Sequence, residues 1–346
     1  MYFIFISLLA LITIILLDLS RKKRLFGNES ITSEKRKIHT TSVNRFGGIV
    51  FFYLILSINL IEDQMVINIL LSALFISIIG YTEDIFLAIS KYLRLIFMII
   101  SISFFVIYFD FYIYNFDNYF LDIFFSNSAV LSYSFVILGL LFSINGFNFI
   151  DGVNGLLLGM SILILSIFLY YSYGKSDSLS ILCFSILICT SILFVFNFFM
   201  GKVLTGDGGA YFLGFIIGAI SIEMCNRDIL SATNISYIIC YPIIEVCFSF
   251  LRRFFNKNGS SLEPDSLHLH QLVFFLLKKK LLNIYKNEVI FNSLSAAIIL
   301  VIYSLLIFIA EFFKYKIDNI YILFAFILIY IFSYFYLYKV SQKYDK

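Results

Sequence analysis

Long apolar runs separated by short polar segments organise the chain from its first residues. Eleven runs approach the roughly 20 apolar residues that an α-helix needs to cross the hydrocarbon of a bilayer. They fall at about 2–18, 46–61, 65–81, 93–110, 129–146, 155–173, 178–199, 209–224, 233–251, 288–312 and 318–339, and they are rich in Ile, Leu and Phe. The second and eighth are the shortest and carry glycines. The pattern predicts an all-α, polytopic membrane protein of about eleven transmembrane helices. It reads as a single domain over 1–346, with a motif-bearing core at 35–271 and C-terminal helices within 288–339.

Composition supports this reading. Sixty-one percent of the 346 residues are hydrophobic, only 14% are charged, and there are two prolines. That leaves too little polar surface to coat a soluble globule of this size. In lipid, by contrast, the backbone must satisfy itself within helices. The first run resembles a signal peptide in length. It lacks a basic start, and the cluster Arg21-Lys22-Lys23-Arg24 follows it in place of a small-residue cleavage site, so it reads as a retained helix with its N-terminus outside. Alternation then assigns 19–45, 82–92, 147–154, 200–208, 252–287 and the tail after 339 to the inside. Of the 25 Lys and Arg residues, only Lys175, Arg227, Lys314 and Lys316 fall outside. This is the asymmetry expected of cytoplasmic loops. The five cysteines lie in or beside apolar runs without a Cys-x-x-Cys pair and read as packing residues.

Unusual polar residues gather in the inside segments. The first carries Lys35-Arg36-Lys37-Ile38-His39 and then Asn44-Arg45-Phe46-Gly47-Gly48, either a basic topology signal or a phosphate grip at a helix start. The second carries Glu83-Asp84 with Arg94 ten residues on. Adjacent carboxylates at a membrane edge suit a shared cation such as magnesium, or they simply end a helix. The third, Asn145 to Gly155, packs Asn145, Asn148, Asp151 and Asn154 among glycines, which favours a ligand site with amides to read a base or sugar. The fourth runs from Gly201 through Lys202 and Asp207 to Gly209, a glycine-rich helix start that suits a phosphate or a metal-bound phosphate. The fifth holds Arg252-Arg253 and then His268-Leu269-His270-Gln271. Zinc is the alternative there, though no cysteine lies nearby. Phosphate-gripping cations, metal-suited carboxylates and base-reading amides on one face describe an enzyme acting on a nucleotide diphosphate at a membrane surface. No feature calls for nucleic acid.

Taken in order, these segments resemble the polyprenyl-phosphate N-acetylhexosamine-1-phosphate transferases of glycosyltransferase family 4. That family includes the phospho-MurNAc-pentapeptide translocase and the WecA-type GlcNAc-1-phosphate transferases. The resemblance runs from about Lys35 to Gln271. It implies transfer of a sugar-1-phosphate, by default GlcNAc-1-phosphate, from a UDP-N-acetylamino sugar to undecaprenyl phosphate, releasing UMP. This would be a first membrane step of cell-envelope polysaccharide synthesis, on the cytoplasmic face of a bacterial inner membrane. Magnesium is implied, with manganese as a substitute. Membrane lipid is a partner, and a homodimer is an allowed assembly.

The family's adjacent acids look like Glu83 and Asp84, its Asn-x-x-Asn-x-x-Asp-Gly motif matches Asn145, Asn148, Asp151 and Gly152, and its Gly-Asp step matches Gly206 and Asp207. Its helix-nine proline and acid look like Pro242 and Glu245, and its histidine motif like His268 and His270. The resemblance makes Glu83, Asp84, Asp151 and Asp207 catalytic candidates, with Asp207 and Asp84 as metal ligands. Candidate substrate contacts are Lys37, His39, Arg45, Arg94, Asn145, Asn148, Asn154, Asn197, Lys202, Arg252, Arg253, His268 and His270. The chain departs from the pattern at Glu83, Asn154, Leu204 and Gln271 and lacks the translocase branch's long histidine-rich stretch, which points to a WecA-like relative. A secondary transporter and a silent lipid-phosphate binder are the rival readings; Pro242 and Glu245 are the features a transporter would use.

Overall fold

The computed structural model describes residues 2–22, 43–86, 90–114, 116, 118–255, 267–281 and 288–344. Among these residues the fold is all-α. Eight helices are long and apolar enough to cross a bilayer: α1 (Tyr2–Lys22), α2 (Gln64–Phe86), α3 (Lys91–Tyr108), α5 (Ala129–Ile150), α7 (Asp177–Met200), α8 (Gly206–Asn226), α12 (Glu288–Phe313) and α13 (Asn319–Tyr344). A further crossing is formed by α9 (Ala232–Ile238) and α10 (Cys240–Phe255), bent by 72°. Two shorter apolar helices, a 3-10 helix over Gly47–Leu60 and α6 (Leu156–Ser172), occupy the second and sixth predicted spans.

The 3-10 winding lengthens the second of these predicted runs. At about 2 Å rise per residue, fourteen residues reach about 28 Å, close to the hydrocarbon thickness, where an α-helix of that length would reach only about 21 Å.

The straight ninth span expected from sequence is broken at Ile239. The break frees backbone groups, and Tyr303 of α12 takes them up. Its hydroxyl accepts from the Tyr241 N–H at 3.2 Å and donates to the Tyr237 carbonyl at 2.8 Å. A broken helix at membrane depth is tolerated when neighbours re-satisfy its backbone in this way. Pro242 falls in the first turn after the break, where its missing N–H costs least. Two further helices lie where loops were expected. These are α4 (Tyr119–Ser126) in the outer loop, started by Asn118 accepting from the Leu121 N–H, and α11 (Leu269–Leu281) in the long inner loop.

Helix α8 is the hub: 94% of its apolar window is buried, against 17–22% for α1, α3 and α13, whose exposed Ile, Leu and Phe face lipid. Glycines let its neighbours approach. A Cβ on Gly80 of α2 would lie 2.5 Å from the Gly208 nitrogen, and one on Gly214 would lie 2.6 Å from the Ile144 Cα of α5. Without a hydrophobic drive between helices in lipid, such small-residue contacts do much of the packing.

Candidate active site

The described parts of the five segments before the tail that alternation assigned to the inside meet at one end of the bundle. Residues 43–48 run alongside 202–205: Asn44 bridges Val203, and the N–H groups of Gly47 and Gly48 donate to the carbonyls of Leu204 and Thr205, each at 2.9 Å. This strip delivers Arg45 to the start of α8. There Gly206, at φ 74°, lies against the Arg45 carbonyl and the Asp84 carboxylate with no room for a Cβ. Helix α2 arrives with its C-terminal acids at the same point, and Asp84 Oδ2 accepts from the Gly208 N–H at 3.2 Å. A carboxylate from another helix thus meets the free donors and positive dipole end of α8.

Asp207 sits one residue along α8, in electrostatic contact with Asp84, Glu83, Arg45 and Arg94. Asp151, just past the end of α5, interacts with Asp207 and Arg45. Desolvation by the surrounding protein pushes its carboxyl up to about 7. The negative Asp207 adds to the rise and Arg45 opposes it. Three carboxylates with Arg45 among them therefore share one recess.

The recess suits a hard divalent cation. Asp84 Oδ1 is buried and has no hydrogen-bond partner among the described residues, and Asp207 lies beside it. No three His, Cys, Asp or Glu side chains in the described residues are grouped closely enough to hold a metal by themselves.

The other sequence candidates fall into distinct settings. Glu83 is ion-paired with Arg94 and accepts from the Tyr211 hydroxyl at 3.3 Å, so these two candidates engage each other. His270 packs edge-on against the Gly152 backbone, and His268 stacks on it at 5.5 Å. Arg253 lies over the Phe149 ring at 5.3 Å, beside the Asn148–Asp151 turn. Asn148 and Lys202 are partly exposed at the same end.

Four candidates are engaged by the scaffold. The Asn145 amide donates to the Leu141 carbonyl of its own helix at 2.8 Å. Asn197 joins two loops, accepting from the Gly155 N–H at 2.6 Å and donating to the Val203 carbonyl at 2.9 Å. Asn154 is buried under Gly201 and engaged through its backbone N–H, held by Asn292 Oδ1 at 2.6 Å, while its side-chain amide has no hydrogen-bond partner among the described residues. Arg252 turns to the Leu267 carbonyl and to Tyr334 of α13. Lys37 and His39 lie outside the described residues. Sequence reasoning missed Tyr211, although its place one turn after Asp207 on α8 puts both on one face. It also missed Tyr330 and Asn292, which carry no local signal.

Residues 66–225 match the profile of "Glycosyl transferase family 4". The matched stretch holds Glu83, Asp84, Arg94, Asn145, Asn148, Asp151 and Asp207. Over this stretch the chain is similar to glycosyl transferase family 4. The chain is also similar to a Bacillus subtilis protein named "Probable undecaprenyl-phosphate N-acetylglucosaminyl 1-phosphate transferase", 27% identical over 76% of this chain and 75% of that protein. The Escherichia coli K12 family member named "Undecaprenyl-phosphate alpha-N-acetylglucosaminyl 1-phosphate transferase" is 30% identical over 38% of this chain, which spans only 37% of its length. A Staphylococcus epidermidis "Phospho-N-acetylmuramoyl-pentapeptide-transferase" is 27% identical over 71% of this chain and 83% of its own. The chain is therefore similar to proteins bearing either of two names.

Proposed function

We propose that this membrane protein transfers an N-acetylhexosamine-1-phosphate, GlcNAc-1-phosphate by default, from a UDP-sugar to a polyprenyl phosphate such as undecaprenyl phosphate, releasing UMP. The reading places the reaction on the cytoplasmic face of a bacterial inner membrane. The observation that carries it is the meeting of Asp84 with the first turn of α8, one Asp84 oxygen satisfied by Gly208 and the other open beside Asp207. The departures at Leu204 and Asn154 favour the GlcNAc-type branch over the pentapeptide translocase.

In this reading Asp207 and Asp84 hold magnesium. When bound, the ion supplies charge neutralisation and Lewis-acid polarisation to the diphosphate. Arg45 offsets the mutual repulsion of the three acids and leaves the recess attractive to a phosphate. An oxygen of the lipid phosphate attacks the sugar-bearing phosphorus, and the phosphoanhydride bond breaks towards UMP. Little base strength is required, because the second pKa of a phosphate is about 6. Positioning by Arg45, Arg253 and the α8 start therefore matters more than proton removal. Asn148, partly exposed at the same end, faces the donor.

A transporter reading needs Glu245 free for a solute or ion, and Glu245 is fully buried in bonds to His268 and Tyr330. Purified full-length protein mixed with UDP-GlcNAc, magnesium and undecaprenyl phosphate should release UMP. Solute flux through proteoliposomes without UMP would overturn the proposal.

A further inference from the structure

Helix α13 stands outside the motif-bearing core, yet it places two tyrosines, one turn apart, on the polar residues of α10. Tyr330 and Tyr334 are both buried. The Tyr330 hydroxyl donates to Glu245 Oε2 at 2.8 Å. The other Glu245 oxygen, Oε1, lies 2.9 Å from His268 Nδ1 and accepts from the Leu269 N–H, at the start of α11, at 3.4 Å. Ser249 adds a contact to the same ring nitrogen at 3.2 Å. His268 in turn meets Phe149 edge-on at 5.2 Å and lies parallel to His270, which packs on Gly152 beside Asp151. Tyr334 holds Arg252 by its hydroxyl and its ring face. A continuous set of contacts thus runs from a peripheral lipid-facing helix to the acid recess.

We propose that α13 is a positioning element for the site: Tyr330 fixes Glu245, and Glu245 fixes the His268 ring with its proton on Nδ1. A carboxylate accepting at one ring nitrogen sets the tautomer and leaves the other nitrogen as the acceptor. Glu245 is fully buried, so each lost partner leaves a buried charge short of a hydrogen bond. The Leu269 contact also couples the ring to the first turn of α11, so loosening Glu245 loosens the whole histidine segment. Tyr330, Glu245 and Tyr334 are positioning residues here and act through His268 and Arg252. The kinetic consequence rests on the proposed transfer reaction; the placement of the proton does not.

The experiment uses the full chain in detergent, labelled with 15N-histidine. With only three histidines in the sequence, His268 can be assigned through His39→Gln and His270→Gln variants. The expected wild-type signature is a proton on Nδ1. Tyr330→Phe and Glu245→Gln should shift His268 towards the other tautomer or an exchanging mixture. They should also lower kcat for UMP release by roughly tenfold or more, with the KM for the UDP-sugar within about twofold of wild type. Tyr237→Phe, which breaks a comparable tyrosine–glutamate bond at the other end of the bundle, should change neither. A bare Nδ1 on wild-type His268 would overturn the proposal even if a variant failed to fold. So would Tyr330→Phe and Glu245→Gln proteins with wild-type tautomer and kcat. A wild-type protein with the expected tautomer but no UMP release would sink the transferase reading and leave the positioning of His268 standing.

Discussion

Asp84 does two things with one carboxylate: Oδ2 caps α8 through Gly208, and Oδ1 stays open. An asparagine there can still accept from Gly208 but carries no charge, so Asp84→Asn should fold normally and lose activity. Asp207→Asn should behave alike. For both variants we expect UMP release to fall by on the order of a hundredfold or more, with thermal stability unchanged; ordinary turnover in Asp207→Asn would remove the metal assignment. His270 argues at the same scale. Burial first, then the neighbouring His268 ring, push its pKa down to about 3 against the pull of Glu245. A histidine whose folded pKa is depressed below about 6.5 contributes stability that is complete above pH 6.5. That stability is lost as pH falls towards 3, by up to about 1.4 kcal/mol per unit. Thermal unfolding between pH 7 and 5 should show the loss, and His270→Gln should flatten it. Acids were legible in the sequence because a carboxylate in so apolar a chain needs a reason to be there. Asn197 was less so: a buried amide near a glycine-rich turn looks the same whether it binds a base or, as here, backbone of two loops.

Helix positions were readable from apolar run length, and each of the eleven runs contains a helix. What escaped was the way each element is wound or broken. The 3-10 form of Gly47–Leu60 has no marker in its apolar run, and at its start Gly48 and Gly209 of α8 meet with no space for side chains. The break at Ile239 depends on Tyr303, more than sixty residues distant. Helix α11 hid in a loop because its thirteen residues end in Lys278-Lys279-Lys280 and read as a topology signal. The glycine contacts give a sharp contrast between two elements. Gly80→Ala places a Cβ 2.5 Å from α8 backbone, so α2 and α8 must separate. We expect a lower melting temperature and loss of UMP release together, since Asp84 moves with α2. Gly139→Ala in α5 meets nothing within 4 Å and should gain about 0.5–1 kcal/mol from helix propensity alone. Melting curves of the two variants side by side test this; equal effects would mean the α2–α8 contact is not tight.

At the scale of the molecule, alternation of spans sorted the polar segments correctly enough that those assigned to one side converge at one end of the bundle. A single span wrongly added or dropped would have scattered Asp84, Asp151 and Asp207 between the two ends. The opposite end has its own anchors. Arg227 bridges Asp63 and Glu223, each at 2.6 Å, and Lys314 pairs with Glu311 at 2.7 Å, so cations there are matched locally by acids. In the sequence, by contrast, the segments assigned to the site side carry, with their helix borders, 21 of the 25 Lys and Arg residues, and such an imbalance fixes orientation during insertion. It predicts that the Asp63–Arg227 end faces away from the cytoplasm. Tyr315, 89% exposed between α12 and α13, and Phe255, 75% exposed at the end of α10, report on the two sides. In a Cys247→Ser background, where the remaining cysteines are buried, Tyr315→Cys should react with a membrane-impermeant maleimide on intact bacterial spheroplasts. Phe255→Cys should react only after permeabilisation. The reverse pattern would put the acid recess on the outer surface, out of reach of a cytoplasmic nucleotide-sugar, and the proposed reaction could not run there.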